Sequence, residues 1–216
     1  MTNDRLRAQV TAELSWDPKV DSTDITVSAE GGMVTLHGTV ASCRHKREAD
    51  NAARRVHGVT GISNYLEVHI ADRDRRADAD VRADVRHALA LNCLIPATVQ
   101  AKVEAGFVTL SGVAAWQFQR AEATRACAAV PGVTGVDVAI SLQPAPSDGD
   151  IQQAISAAFA RSARLDRFEI SVDCPLPGVV VLSGTVSSWA EHDEAVAVAW
   201  SAPGTTNIDD RIMVAY

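Results

Sequence analysis

Apolar residues recur every fourth position at three places in the chain. Leu6, Val10 and Leu14 form the first run, Val81, Val85 and Leu89 the second, and Ile151, Ile155 and Phe159 the third. That spacing marks one face of an α-helix. Each run gives way to alternation: Ile25, Val27 and Ala29; Val99, Ala101 and Val103; Ile170 and Val172. Period two with β-branched side chains predicts a half-buried strand. Gly31-Gly32 or Ala105-Gly106 then turns the chain into a second strand, VTLHGTV or VTLSGVA, which makes a hairpin. A second helix is predicted near 43–57, 116–130 and 188–202. Its inner face is small: Ala49 and Ala53, Ala123 and Cys127, Ala195 and Ala199. A third strand closes each set, in ISNYLEVHI, VDVAISL and IDDRIMVAY.

The same pattern is therefore written three times. GMVTLHG at 32–38 returns as GFVTLSG at 106–112 and GVVVLSG at 178–184. Nine glycines keep register: Gly32, Gly38 and Gly58; Gly106, Gly112 and Gly132; Gly178, Gly184 and Gly204. They read as structural glycines: Gly38 and its equivalents at a bulge or close backbone approach, Gly58 and its equivalents as helix C-caps. A period above 70 residues suits a small domain rather than a solenoid unit. The predicted fold class is α+β: three tandem α-β-β-α-β domains, each with two helices on a three-stranded sheet. The predicted spans are 1–70, 77–142 and a more divergent 148–216, joined by polar connectors at 71–78 and 143–150. Asn3, Asp78 and Asp148 or Asp150 sit where helix N-caps belong. The pattern does not settle the strand order.

Composition narrows the function. The net charge of −7 argues against general nucleic-acid binding, which needs a basic footprint. The acidity is concentrated at the end: residues 1–76 are net 0, 77–143 net −1 and 144–216 net −6. Aromatic residues make up 5% of the chain, so the cores must be built from Val, Leu, Ile and Ala. No stretch approaches the roughly 20 apolar residues of a membrane span, and MTNDRLRAQVTAEL has no leader-like apolar region. A cytoplasmic location is the expectation. Cys43, Cys93, Cys127 and Cys174 form no CxxC pair and read as free thiols.

Candidate chemistry is sparse. The two GVTG stretches, 58–61 and 132–135, mimic a nucleic-acid-clamping loop, but here they join helix to strand and read as caps and turns. His37, Cys43 and His45 lack metal-ligand spacing, so no metal is expected. Ser42, Ser111, Ser183 and Ser188 lack a nucleophile setting. Glu48, Glu122 and Glu194 recur at one helical position and read as helix-start or ion-pairing residues. No acid, base and nucleophile recur together, so neither catalysis nor a cofactor is expected. The sharpest feature is CRHKREADNAARRVHG. At 100° per residue Arg44, Arg47, Arg54 and Arg55 fall within about 100° of arc, opposite Ala49, Ala53 and Val56. These four are the candidate phospholipid-binding residues; the alternative is a solvated face laced with i,i+3 and i,i+4 pairs. At about 1 kcal/mol each near an anionic leaflet, four arginines supply only about millimolar binding. A second contact is required: a dimer, another protein or an apolar insertion. Changing all four to Gln is expected to abolish vesicle attachment and leave the thermal melt nearly unchanged.

The unit resembles the BON domain, named for bacterial osmotically inducible and nodulation proteins. The likeness is carried by DPKVDSTDITVSAEGGMVTLHGTV with EADNAARRVHGVTGISNYLEV, by PATVQAKVEAGFVTLSGVA with AEATRACAAVPGVTGVDVAISL, and by GVVVLSGTV with HDEAVAVAWSAPGTTNIDDRIMV. The third unit departs, with CPLPG in place of the glycine turn. The resemblance implies a non-enzymatic binding module, associated with osmotic stress, envelope integrity and phospholipid interaction. The predicted partners are an anionic membrane surface or another protein, with no nucleic acid and with homo-oligomer formation open. The alternative is a protein-interaction or self-assembly module with no lipid role.

Overall fold

The computed structural model describes residues 2–143, 150–162, 165 and 170–216. The first repeat comprises α1 (Asn3–Trp16), β1 (Ile25–Glu30), β2 (Met33–Val40), α2 (Cys43–Arg54) and β3 (Gly61–Val68). The second comprises α3 (Asp78–Leu91), β4 (Gln100–Glu104), β5 (Phe107–Ala114), α4 (Gln117–Ala128) and β6 (Gly135–Leu142). The third comprises α5 (Ile151–Arg161), β7 (Ser171–Leu176), β8 (Val179–Val186), α6 (Trp189–Trp200) and β9 (Asn207–Val214). By compactness the chain divides into two units, Met1–Gly112 with Arg120–Ile140 and Val113–Gln119 with Ser141–Tyr216. The sequence repeat and the compact unit therefore do not coincide in the middle of the chain.

Each repeat has its own three-stranded sheet, with the second strand in the centre: β1-β2-β3, β4-β5-β6 and β7-β8-β9. In the outer repeats the hairpin is antiparallel and the strand after the second helix returns parallel to the central one. Alternation along β2 divides the faces. Val34 and Leu36 are buried, while Met33 and His37 are exposed. The buried set joins Leu6, Val10, Ala49 and Ala53 in one core, so both helices cover a single face. The third repeat does the same with Ile155, Phe159, Val180, Leu182, Ala195 and Ala199.

All nine repeat glycines have positive φ. At Gly38 a Cβ would lie 1.8 Å from the carbonyl oxygen of Asp24, and at Gly112 a Cβ would lie 2.1 Å from that of Thr98. The strand there runs against the backbone entering β1 or β4, the close approach expected at that position.

Several local expectations are corrected. The second helices end at Arg54, Ala128 and Trp200, short of the predicted 57, 130 and 202. Val56 and Val59 N–H bond to carbonyls three residues back, so a tight turn replaces the last helical turn. Asn3 and Asp78 are not N-caps; Thr2 and Ala77 hold those positions without side-chain caps. Asn3 instead accepts the Gly31 N–H at 3.1 Å, and Asp78 accepts those of Ala105 at 2.7 Å and Gly106 at 2.9 Å. Orphan amides at the hairpin tip outcompete the helix's own. Asp150 does cap α5, accepting the Gln153 N–H at 3.1 Å; Asp148 lies outside the described residues. The connector at 71–78 is tied down, with Arg76 bonding Asp84 at 2.6 Å and the Pro131 carbonyl at 3.3 Å. In the third repeat the extra residue and Pro175 are absorbed as a register irregularity between Asp173 and Leu176.

Candidate functional site

Helix α2 carries the basic stretch, and two local features aim it. Ser42 caps its start, accepting the His45 N–H at 3.2 Å. Ala49, Ala52 and Ala53 are fully buried, so the helix lies close on the sheet and its long side chains splay outward. Arg44 is exposed. Arg47 reaches Glu48 at 3.4 Å, and Arg54 Nε donates to Asp50 at 2.8 Å, an i,i+4 pair. Arg55 lies just beyond the helix, as its C-cap. Its guanidinium turns back to the first helix, donating from Nε to Glu13 at 3.0 Å and from Nη2 to Asp17 at 2.6 Å.

The four arginines are therefore not equivalent cations. Asp17 is only 8% exposed. The Lys19 amide and the Arg55 guanidinium hold its carboxyl below the usual carboxylate range. Asp17, and secondarily Glu13, strengthen the proton's hold on Arg55 in turn. A phosphate approaching α2 meets Arg44 directly and competes with carboxylates for Arg47 and Arg54. Arg55 belongs to the contact between α1 and α2.

A neighbouring residue was missed by the sequence reading. Trp16, the last residue of α1, is 83% exposed and sits between Glu13 and Asp17, the two residues that Arg55 grips. The signal was available: counted at 100° per residue from Leu6, Trp16 falls far off the stripe of Leu6, Val10 and Leu14. Leu91 ends α3 at the equivalent position and is 71% exposed. His192 was missed too. Its Nε2 lies 2.8 Å from Asp210 on β9 and its Nδ1 3.1 Å from Asp193, with the Trp189 ring edge-on at 4.8 Å. The Asp193 hydrogen bond, then the charge of Asp210, raise its pKa against the opposing effect of burial.

The remaining candidates are ordinary structure. Gly58 and Gly204 are not helix C-caps as expected, since Arg55 and Ser201 hold those positions. The Gly58 and Gly132 stretches lead into the next strand, with Thr60 and Thr134 N–H bonding to Gly32 and Gly106 carbonyls at 2.9 Å. Glu48 and Glu122 pair with Arg47 and Arg125. His37 stacks on Tyr65, 5.2 Å between centroids. Among the described residues no cluster of His, Cys, Asp or Glu is placed to hold a metal. The four cysteines are free thiols. Burial pushes Cys127 up to about 11 and raises Cys43, the reverse of an activated nucleophile. Among the described residues no helix is long and apolar enough to cross a membrane.

A family model for the BON domain matches residues 2–69, 77–144 and 147–216. The chain is 31% identical over 141 residues to osmotically-inducible protein Y of Escherichia coli strain K12, covering 63% of this chain and 70% of that protein. Among solved structures it is similar to CdsD, a structural protein of the type III secretion system of Chlamydia trachomatis, at 14% identity and a TM-score of 0.25, covering 98% of this chain and 92% of that one. The PrgH periplasmic domain gives 11% identity and a TM-score of 0.24, covering 89% and 95%. Overlaps this loose carry no functional argument. The relative does correct one expectation. Osmotically-inducible protein Y is a periplasmic protein, which overturns the cytoplasmic placement. The stretch used for that placement is α1, whose Leu6, Val10 and Leu14 are core residues. Its polarity records an amphipathic helix and says nothing of address.

Proposed function

Because the chain belongs to the BON domain family and carries the domain three times over, we propose that it is a non-catalytic, stress-related binding module whose first repeat contacts anionic phospholipid surfaces. The observation that carries this is Trp16. A Trp 83% exposed at a helix end is costly to leave in water and is at home at a membrane–water interface. It supplies the apolar contact that the arginines require. Arg44 contributes freely, and Arg47 and Arg54 contribute as an anionic surface displaces Glu48 and Asp50. Each adds about 1 kcal/mol near such a surface, so attachment is weak, salt-sensitive and dependent on both elements.

Co-sedimentation with vesicles tests this. Anionic vesicles should retain the chain at low salt and release it at high salt, and neutral vesicles should not retain it. Trp16→Ala and the triple change Arg44→Gln, Arg47→Gln, Arg54→Gln should each weaken retention. Unchanged binding by both variants removes this face from consideration.

A further inference from the structure

Positions 64, 138 and 210 are equivalent by the repeat spacing and hold Asn, Val and Asp. They lie on β3, β6 and β9, each an outer strand of its sheet. An outer strand leaves alternate backbone N–H and C=O groups without a ladder partner. In β3 one such amide is hidden: Asn64 Oδ1 accepts the Leu66 N–H at 3.1 Å, while Asn64 Nδ2 donates to the Lys46 carbonyl at 3.1 Å. In β9 Asp210 accepts the Ile212 N–H at 3.1 Å and holds His192 Nε2 at 2.8 Å. The same device appears twice: a polar side chain bends over its own edge and is anchored to the second helix. Val138 can do neither.

The open amides of β6 follow from alternation. His69 N–H donates to the Val40 carbonyl at 2.8 Å, and Gln143 N–H to that of Ala114 at 2.9 Å. The backbone groups of odd-numbered positions there face the central strand, so the amides of Val138 and Ile140 point to the open edge, as that of Leu66 does. The strand reads GVDVAISL, with Asp137 its single ionised side chain. The opposite edge of that sheet, β4, is five residues long and carries Lys102 and Glu104, ion-paired at 2.7 Å. Short length and charge are standard protection for an edge; β6 is eight residues long and has one charge, Asp137.

We propose that β6 is a self-association edge, on which two copies of this chain pair antiparallel about a twofold axis at Ala139. That register sets Val138 against Ile140, Val136 against Leu142 and Asp137 against Ser141 of the second copy. The outward amides of Val138 and Ile140 then meet carbonyls, and no like charges face each other. A register centred on Asp137 sets two carboxylates opposite, which is unfavourable. A twofold pairing uses the same edge, β6, of both copies and closes on itself, so assembly through it stops at the dimer.

The full chain is tested by sedimentation from micromolar to millimolar concentration. The unaltered protein should pass from one chain to two. Val138→Asn installs the side chain of the first repeat and should raise the dimer dissociation constant at least about tenfold, through the lost backbone hydrogen bonds, with no loss of thermal stability. In a Cys93→Ser background, which removes the exposed native thiol, Ala139→Cys should cross-link on mild oxidation. A narrow antiparallel pair brings the two Cα atoms to about 4.5 Å, within disulfide reach. A chain that stays single at millimolar concentration overturns the proposal. So does undiminished dimerisation by Val138→Asn, or the absence of the cross-link.

Discussion

Arg55 Nη2 donates to Asp17 Oδ2 across 2.6 Å, joining the segment after α2 to the end of α1. The bond ties together the two helices that cover the first sheet, through an acid nearly withdrawn from solvent. Arg55 is accordingly a packing residue, and the arginine face must be tested without it.

The four arginines should separate by stability. Arg55→Gln should lower the melting temperature of the first repeat by several degrees, because Asp17 and Glu13 lose their cation. Arg44→Gln, at an exposed position, should leave it within error, as surface changes usually do. Scanning calorimetry of the two variants decides the matter. An Arg55→Gln melt equal to the unaltered one would show that the clamp holds nothing.

Gly38 and Gly112 should tolerate no side chain. In each case the added Cβ meets a backbone carbonyl at 1.8 or 2.1 Å, and φ is +123° or +118°. Backbone cannot rotate aside as a side chain would. Gly38→Ala should cost about 3 kcal/mol or more, whereas Gly→Ala at a site whose φ and space accept a side chain stabilises by about 0.4–1 kcal/mol. Denaturant midpoints at constant slope measure the difference.

Ala53 and Ala199 are each 0% exposed, against the sheets of the first and third repeats. Replacing either with Leu adds volume where no space exists and should destabilise that repeat by about 1–3 kcal/mol. A neutral result in chemical denaturation would place the residue outside the core.

His192 makes the third repeat sensitive to pH. Its folded pKa lies above the ordinary 6.5, so the folded state binds the proton more tightly than the unfolded chain. The stabilisation is complete below about 6.5 and is lost as pH rises through the folded value. The charged groups within reach are Asp193 and Asp210, both acidic, which fixes the sign. Thermal melts across neutral pH should show the third repeat weakening toward alkaline pH, and His192→Gln should flatten that slope. A variant with an unchanged slope would assign the dependence to other groups.

Much of this molecule is legible in one dimension. Leu6, Val10 and Leu14 repeat at helical period, Val27 and Ala29 at strand period, and the glycines at 74 and 72 residues. Those periods reflect short-range geometry, in which each residue's face follows from its neighbours along the chain. They suffice for three α-β-β-α-β repeats and for the small inner faces of α2, α4 and α6.

What escaped depends on contacts between residues far apart in sequence. The central place of β2 and β8 follows from parallel pairing across a helix, which no local period encodes. Asn3 and Asp78 have the composition of helix caps, but the amides closest to them in space belong to hairpin tips 28 and 27 residues away. Arg55 has the helical phase of its three companions, yet Glu13 and Asp17 lie 42 and 38 residues back. The difference between Val138 and its equivalents Asn64 and Asp210 is visible as three letters. It acquires meaning only once each strand is known to be an edge, because an unpaired amide exists only where a sheet stops.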